Sequence, residues 1–359
     1  MKRILIINTY GIGDVLFTTP LINNLRQANP QVNITYLANR RTEAFLKDNP
    51  YINRIVVYER DEWVALYRNN PLRYFGQWLA FIKQLRGAHY DCVLDFSLNG
   101  MFGFLMVLAG IPRRIGYNYR NRGIWLTDKL PFKGFEGKHV IEYYLDLARL
   151  LGIDITDKRM MFNVPARDMQ WAKDLIAQQQ PHQRPIIVLV PGGGASWGKA
   201  AGNKRWGAKN FADLADKIVE EINGLVILVG DKAEQDLVNG IIQQVHHPVL
   251  NLTGQVSLAQ MAAVFKNSHL VIANDGGPLH VAVANRVKTV SLFGPVDPRV
   301  YGPYPSDNHC VVTLGLACQP CYQRFRMAAC GRINCLNQLP VERVLEAVKD
   351  QINNLNEGL

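Results

Sequence analysis

Residues 269–298 read HLVIANDGGPLHVAVANRVKTVSLFGPVDP, and the order of residue types in this stretch decides the fold. A β-branched apolar run ends in NDGG at 274–277, an apolar segment containing His280 follows, and a second β-branched run ends in FGPVDP. This order predicts a buried strand, a helix and a parallel strand. Two glycines let backbone approach a ligand, and free amides at a helix N-terminus bind phosphate. The stretch therefore predicts an anionic-ligand site at a sheet edge, whereas the alternative is a plain tight turn beside a buried histidine.

The same alternation of apolar β-branched runs and helical periodicity extends over both halves of the chain. RILIINT, VNITYLA, RIVVY and YDCVLDFS alternate with amphipathic segments in the first half, and IIVLVP and LVILVG resume the alternation in the second. This predicts an α/β fold of two doubly wound, Rossmann-like domains that face each other across a cleft. The polar segment AQQQPHQRP at 177–185 predicts a linker, so we expect domains at residues 1–180 and 181–340. A last helix within 341–359 has no assigned neighbour and is expected to pack across the domain boundary.

Composition and charge restrict the class of protein. The 359 residues are 48% hydrophobic and 19% charged, which is typical of a folded globular protein. The apolar run 101–111 is shorter than the roughly 20 residues that span a bilayer, and no signal-peptide core is visible, so a cytoplasmic protein is expected. The net charge of +10 arises mainly in residues 1–180, which carry 24 basic and 16 acidic residues. Such a half suits an acidic partner, such as anionic lipid or acidic sugar, or is only a solvated surface.

The densest basic patch is RRIGYNYRNR at 113–122, which contains Arg113, Arg114, Arg120 and Arg122. These four arginines are the candidate contacts to an anionic acceptor or membrane surface. The chain shows no zinc-finger, helix-turn-helix or aromatic RNA-binding signature, so no nucleic-acid partner is expected.

A second glycine-rich loop, PGGGASWGKA at 191–200, has the spacing of a nucleotide-hydrolysing phosphate loop. Ala200 occupies the position where that loop needs a Ser or Thr hydroxyl for magnesium, and Gly202 and Gly207 discourage an immediate helix. ATP hydrolysis is therefore not expected. Gly193 and Gly194, followed by nearby lysines, still indicate a loop that holds an anionic ligand.

The first predicted strand is followed by NTYGIGDVLFTTP, in which Gly11 and Gly13 have the spacing of a dinucleotide-binding turn. Leu16 replaces the third glycine, and the second strand lacks the acidic residue that would bind a ribose, so NAD is not expected. Asp14 has two interpretations. It is either an ordinary helix cap or a carboxylate at the carboxyl end of the strand that acts as a general base.

These segments together resemble glycosyltransferase family 9, the ADP-heptose:lipopolysaccharide heptosyltransferases and their relatives. The resemblance covers nearly the whole chain. It implies a two-domain fold of the GT-B type with an acceptor-binding N-terminal half and a nucleotide-sugar-binding C-terminal half. The matching segments are GIGDVLFTTPLINNLR, KHVIEYYLDLARLLG, the glycine-rich loop through KRW, NDGGPLHVAVA, FGPVDP and CQPCYQRFRMAACGRINCLNQL.

The resemblance also implies roles for single residues. Asp14 matches a catalytic base that deprotonates an acceptor hydroxyl for inverting attack on the donor, and Lys204 matches a lysine that contacts the donor phosphates. Glu234 aligns with an acidic residue that holds the nucleoside ribose. Gly276 replaces a Ser or Thr of many members, so backbone amides or water must replace that hydroxyl. The donor-site motif corresponds to Asp275, Gly276, Gly277 and His280.

The implied reaction is metal-independent, and no cofactor is expected. The chain contains no Asp-x-Asp sequence, so lysine and helix amides must neutralise the leaving diphosphate. The donor implied is ADP-heptose and the acceptor a lipid-linked glycan such as a lipopolysaccharide core, at the inner face of the membrane. The sequence leaves open that the donor is another nucleotide-sugar or that the protein is a non-catalytic binding module. A nucleotide-sugar epimerase is not expected, because such an enzyme would need NAD.

Four cysteines lie close together in the sequence of the C-terminal half. The first pair has the spacing of a zinc knuckle, so the residues predict either reduced thiols or a structural zinc site, with disulfides disfavoured in a cytoplasm. The four are Cys318, Cys321, Cys330 and Cys335.

Overall fold

The computed structural model describes residues 2–179 and 184–356, without the side chains of 195–196 and 354–356. Contacts divide the chain into two compact units. The first is Met1–Phe135 with Val140–Lys158, and the second is Glu136–His139 with Arg159–Leu359. The division therefore lies before the predicted linker, of which residues 180–183 fall outside the described residues.

The first unit contains a six-stranded parallel sheet, and its three strands at Arg3–Ile7, Asn33–Ala38 and Cys92–Asp95 are buried at nearly every position. Its strands are β1 (Arg3–Ile7), β2 (Asn33–Ala38), β3 (Arg54–Val57), β4 (Cys92–Asp95), β5 (Arg113–Tyr119) and β6 (Asp128–Phe132). The strand order is β3-β2-β1-β4-β5-β6, so the direction of winding reverses between β1 and β4. This reversal point is where ligands bind in open α/β sheets.

Seven helices lie within the described residues of the first unit, and most carry an apolar face that packs on the sheet or on another helix. Helix α2 packs against α7, and α5 contacts both α4 and α6. The helices are α1 (Ile12–Leu16), α2 (Thr19–Ala28), α3 (Arg40–Leu46), α4 (Arg60–Asn69), α5 (Pro71–Gly87), α6 (Gly100–Leu108) and α7 (Val140–Arg149).

The second unit repeats this topology with a second six-stranded parallel sheet. Its strands are β7 (Ile186–Val190), β8 (Leu225–Leu228), β9 (Leu250–Asn251), β10 (Leu270–Asn274), β11 (Thr289–Leu292) and β12 (His309–Val312). The order β12-β11-β10-β7-β8-β9 places the reversal point between β10 and β7. The predicted α/β class with two doubly wound sheets is thereby confirmed.

The helices of the second unit cover both faces of its sheet. They are α8 (Ala166–Gln178), α9 (Ala208–Ile222), α10 (Gln235–Ile242), α11 (Leu258–Lys266), α12 (Gly277–Ala284), α13 (Pro298–Tyr301), α14 (Asn334–Asn337) and α15 (Val341–Asn356), with 3-10 turns at Ala195–Lys204 and Lys232–Glu234 and a hairpin of β13 (Tyr322–Gln323) and β14 (Arg326–Met327). Helix α8, whose last two residues fall in the predicted linker at 177–185, packs on α11. The last helix, α15, packs on α9 and on strands β10, β11 and β12 of the same unit.

Candidate active site

The two glycine-rich segments that the sequence predicts separately lie together at the reversal point of the second sheet. Strands β7 and β10 are hydrogen-bonded neighbours, and one segment follows each strand. Asn274 joins them, because its side-chain amide donates to the carbonyls of Pro191 at 2.8 Å and Gly192 at 3.1 Å. A side-chain carbon at Gly276 would lie 3.3 Å from the Gly193 Cα atom. Both segments therefore border one site.

Glycine is required in the loop after β7 for reasons of conformation and space. Gly193 and Gly194 have φ values of 112° and 73°, in the left-handed region that favours glycine. A Cβ atom at Gly192 would lie 2.0 Å from Glu234 Oε1, which is an overlap. Larger residues would therefore displace this loop from the end of strand β10.

A buried ion pair lies beside these loops. The Lys204 ammonium is 2.6 Å from the Asp275 carboxylate, and the two side chains are only 11% and 6% exposed. The same ammonium lies 4.3 Å from the centre of the Trp197 ring, which adds a cation–π contact. Asp275 comes two residues before the first residue of α12, where backbone amides favour negative charge. The pair offers one cation and a set of amides to an anionic ligand.

Glu234, the predicted ribose contact, is buried and bonded to the glycine-rich loop. Its Oε1 accepts a hydrogen bond from the Gly193 amide at 2.7 Å, and its Oε2 accepts one from the Asp231 amide at 3.0 Å. Arg205 contacts both partners of this interaction: it donates to the Gly193 carbonyl at 3.0 Å, and its guanidinium lies 3.4 Å from the Glu234 carboxylate. This carboxylate therefore shapes the loop, whatever it contributes to ribose binding.

His280 lies in α12, which runs from the NDGG turn into the interior. Burial lowers the pKa of His280 to about 3, and the nearby His139 and Lys204 act in the same direction. The imidazole is therefore neutral at physiological pH and acts as a hydrogen-bonding group rather than as a cation. His139 is also buried, stacks on Tyr304 at 4.5 Å, and lies 3.0 Å from the Gly302 carbonyl.

In the first unit, Asp14 lies just beyond the carboxyl end of β1, in the first turn of helix α1. The N-cap of this helix is Gly11, so Asp14 is not the cap residue. The Asn8 side chain donates to the Asp14 carbonyl at 3.0 Å and fixes the turn. The Asp14 side chain is half-buried at the reversal point of the first sheet.

Asp95 is a second carboxylate at this point, and the sequence reasoning missed it. It ends strand β4 and pairs in register with Ile7 of β1. Burial raises its pKa to about 6, although the Ser97 amide donates to Oδ1 at 2.8 Å. Burial raises the pKa of the Tyr10 hydroxyl, the charges of Asp14 and Asp95 raise it further, and the hydroxyl donates to the Ser97 carbonyl. The sequence did contain a signal for this residue, because Asp95 ends the apolar run YDCVLD. That run forms strand β4, which lies beside β1, the strand that precedes Asp14.

A sequence model of glycosyltransferase family 9, the heptosyltransferases, matches residues 78–330, which is more than half of the chain. The chain belongs to glycosyltransferase family 9. It is therefore a glycosyltransferase, and the predicted family resemblance is confirmed. The match covers strands β4, β5 and β6 of the first sheet and all of the second sheet.

Individual relatives of this family 9 chain agree with the match. Lipooligosaccharide heptosyltransferase 2 of Campylobacter jejuni is 26% identical over 96% of each chain. Among solved structures, a family 9 glycosyltransferase from Veillonella parvula has a TM-score of 0.79 and 21% identity over 98% of this chain and 97% of its own. The E. coli ADP-heptose lipopolysaccharide heptosyltransferase II has a TM-score of 0.75 and 22% identity over the full length of both chains. At these identities the structural likeness shows the fold.

The four predicted basic contacts of the family 9 chain are not equally available. Arg113 is 3.2 Å from Asp128 and donates to the Leu150 carbonyl, so it ties β5 to its surroundings. Arg114 donates to the carbonyls of Ile111 at 2.7 Å and Trp125 at 2.6 Å. The exposed Arg120 lies over Tyr119, and the charge of the exposed Arg122 partly offsets the rise in the pKa of Tyr10 that burial causes. Arg122 is thus an arginine of the patch whose charge acts on Tyr10, the residue on which Asp14 also acts.

The cysteine-rich segment is attached to the loop that follows β11. Cys321 donates its amide to the Pro295 carbonyl at 3.0 Å, and the four cysteines of the segment line one pocket with Pro295. None of the four forms a disulfide. Within residues 2–179 and 184–356, no three His, Cys, Asp or Glu side chains are arranged to hold a metal ion. The reduced-thiol and zinc interpretations both remain predictions.

Proposed function

We propose that this protein is an inverting, metal-independent heptosyltransferase that moves a heptose from ADP-heptose to a lipopolysaccharide-core or related surface-glycan acceptor. The observation that carries the proposal is the buried Lys204–Asp275 pair between two glycine-rich turns at the end of a parallel sheet. A nucleoside diphosphate is the ligand chemistry that suits such a site. The names of the Campylobacter and E. coli relatives support heptose as the sugar.

In this proposal the C-terminal half, residues 181–340, binds the donor. The diphosphate receives the Lys204 ammonium and the first amides of α12, with Gly276 and Gly277 allowing close approach of the backbone. Lysine and amides already oriented toward the phosphates stabilise the negative charge that develops on the leaving nucleotide. Glu234 holds Gly193 and contributes to the ribose pocket. No cofactor takes part.

The N-terminal half, residues 1–180, holds the acceptor. Asp14 takes the proton of an acceptor hydroxyl as that oxygen attacks the anomeric carbon of the donor. The bond from the anomeric carbon to the diphosphate oxygen breaks, ADP leaves with the electron pair, and attack from the opposite face inverts the configuration. Arg120 and Arg122, the two exposed arginines of the basic patch, face an acceptor that carries acidic groups.

Metal independence follows from the residues available to the diphosphate. The chain has no Asp-x-Asp sequence, and its acidic residues near the phosphate site, Asp275 and Glu234, are each already paired with a cation or an amide. A divalent ion would need free carboxylates at this place. Lysine and helix amides therefore supply the positive charge in our proposal.

We further propose that the enzyme works on the cytoplasmic side of the inner membrane as a peripheral protein. None of the described helices is both long and apolar enough to cross a bilayer. A lipid-linked acceptor nevertheless requires the enzyme to approach the membrane surface.

Calorimetric titration of the protein with ADP-heptose, in the presence of a chelator, tests the donor assignment. ADP and a set of UDP-, GDP- and dTDP-sugars serve as competitors. Selective binding of ADP-heptose is the expected result. Preference for another nucleotide-sugar would replace the donor and keep the fold. Binding without transfer to any heptose-accepting glycan would favour a non-catalytic binding module.

A further inference from the structure

Exposed apolar side chains are concentrated in one part of the first unit. Among the described residues, thirteen large apolar side chains are exposed, and ten of them lie between residues 64 and 125. Monomeric soluble proteins seldom expose large apolar patches without a binding role. The ten are Val64, Tyr67, Leu72, Phe75, Leu79, Phe104, Val107, Leu108, Ile124 and Trp125.

Helices α4 and α5 carry the most exposed members of this set. Leu72 is 86% exposed, Leu79 68% and Phe75 59%. Their spacing of three and four residues places them in one stripe along α5. Helix α4 has no buried residue, and Tyr67, which is 55% exposed, packs edge-on against Tyr74 of α5 at 5.1 Å. The two helices thus present a joint apolar surface, which we call the α4–α5 surface.

Beyond the first turn of α4, which carries Asp61 and Glu62, the charged side chains of the α4–α5 surface are all basic. Residues 63–90 contain no Asp or Glu. They contain Arg68, Arg73, Lys83 and Arg86, all of them exposed. Lys83 and Arg86 continue the stripe of Leu72, Phe75 and Leu79 at helical spacing. An apolar stripe that runs into basic residues is typical of helices that lie at a membrane interface.

A second apolar cluster flanks this surface. Helix α6 contacts α5, and its exposed side chains Phe104, Val107 and Leu108 lie at helical spacing. Trp125 packs on Phe104 at 5.1 Å, next to Ile124. Tryptophan and tyrosine are enriched where proteins meet the lipid headgroups. Both clusters belong to the first unit, and both combine exposed aromatic and aliphatic side chains.

We propose that the α4–α5 surface is the membrane-docking face of this protein and that its partner is an anionic lipid bilayer. Leu72, Phe75 and Leu79 enter the headgroup region, while Arg73, Lys83 and Arg86 contact lipid phosphates. A second copy of the chain fits less well, because a two-fold contact through this face would bring arginines against arginines. The location differs from the one predicted by sequence, since Arg113 and Arg114 are bonded to neighbouring residues. This inference rests on the proposed function only for the lipid-linked nature of the acceptor.

Flotation of the full chain with lipid vesicles tests this inference without any donor or acceptor. One set of vesicles contains phosphatidylcholine alone, and the other contains phosphatidylcholine with phosphatidylglycerol. The wild-type protein should float with the anionic vesicles and lose affinity as salt rises, because exposed charges are screened. Each basic residue should contribute about fivefold in affinity. The triple change Arg73→Gln, Lys83→Gln and Arg86→Gln should then weaken binding roughly a hundredfold.

The apolar part is tested by Leu72→Ser, Phe75→Ser and Leu79→Ser together, with Ile242→Ser and Val311→Ser as the matched control on exposed residues of the second unit. The α5 variant should lose flotation at low and high salt, whereas the control should float like the wild type. Circular dichroism and light scattering check folding and oligomeric state. Absent wild-type flotation, unchanged flotation of the α5 variant, or a shift of that variant from oligomer to monomer would overturn the proposal. Because no sugar is involved, failure here would leave the transferase proposal standing.

Discussion

The Lys204 ammonium lies 2.6 Å from the Asp275 carboxylate at the reversal point of the second sheet, and both side chains are nearly inaccessible to solvent. A buried charge that loses its partner is costly, about 3–5 kcal/mol. The pair therefore ties the stability of the second unit to the proposed phosphate site. A diphosphate that binds here must share the Lys204 ammonium with the Asp275 carboxylate.

Lys204→Met should lower the free energy of unfolding by about 3–5 kcal/mol, because it leaves the Asp275 charge buried and unpaired. Adding Asp275→Asn should recover most of that stability without restoring donor affinity. Lys209→Met is the control, since its partner Asp213 and Lys209 itself are exposed and such pairs contribute about 1 kcal/mol or less. Urea unfolding and donor titration measure both effects. Normal donor affinity in the double variant would remove Lys204 from the phosphate site.

Asp95 should make stability depend on pH. Burial raises its pKa from 3.8 to about 6, so the unfolded chain releases this proton at lower pH than the folded protein does. The resulting stabilisation is complete below the unfolded pKa and is lost as pH rises through about 6. Asp95→Asn should therefore be more stable than wild type at pH 7, by roughly 3 kcal/mol at most, and equal to it near pH 3.

Asp91→Asn supplies a control of opposite sign for Asp95→Asn. Backbone amides of Arg3 and Lys2 lower the pKa of Asp91, so its carboxylate stabilises the fold at neutral pH. Thermal melts of the three proteins across this pH range measure the difference. A wild-type-like pH profile for Asp95→Asn would show that Asp95 is not buried in the way described.

Gly192→Ala should disrupt the glycine-rich loop. The new methyl group would overlap the Glu234 carboxylate, which also holds the Gly193 amide. We expect a loss of about 1–3 kcal/mol in unfolding free energy, as for other overpacked sites, together with weaker donor binding. Gly202→Ala is the matched control, because a methyl group at Gly202 would meet no other atom within 4 Å. Equal donor affinity in the two variants would contradict the loop's role.

The cysteine-rich segment should behave as a set of reduced thiols. Thiol titration in denaturant should count all six cysteines of the chain, and elemental analysis should find no stoichiometric metal. Backbone amides of Arg332 and Ile333 lower the pKa of Cys330, so this exposed thiol should be alkylated first in the folded protein. Burial raises the pKa of Cys92 to about 12, so it should react slowly. One zinc per chain, lost on Cys318→Ser, would establish the zinc alternative instead.

The architecture was predictable because strand and helix periodicities are local. The runs RILII, IIVLV and LVIAN form buried parallel strands, and NDGG opens a helix as expected. The family was recognisable from other short segments, such as GIGDVLFTTPLINNLR and NDGGPLHVAVA. The sequence also marked Lys204 and Asp275 separately.

What the sequence did not reveal depends on contacts between distant residues. The pairing of Lys204 with Asp275 joins two loops, and the burial that changes the pKa of Asp95 comes from neighbouring strands. The sequence predicted that Arg113 contacts an anionic partner. In the structure, pairing of strands β5 and β6 brings Asp128 to within 3.2 Å of Arg113. Periodicity predicted helix α5, whereas exposure of Leu72 and Leu79 follows from which neighbours cover that helix.

The most direct test of the central claim is a transfer assay with ADP-heptose and a heptose-accepting lipopolysaccharide core, run in excess chelator. Mass spectrometry identifies the product and NMR its anomeric configuration. We predict one added heptose of inverted configuration, and a loss of turnover of about 10²–10⁴-fold in Asp14→Asn with unchanged donor affinity. A product of retained configuration, a requirement for metal, or near-normal turnover of Asp14→Asn would contradict the proposed mechanism.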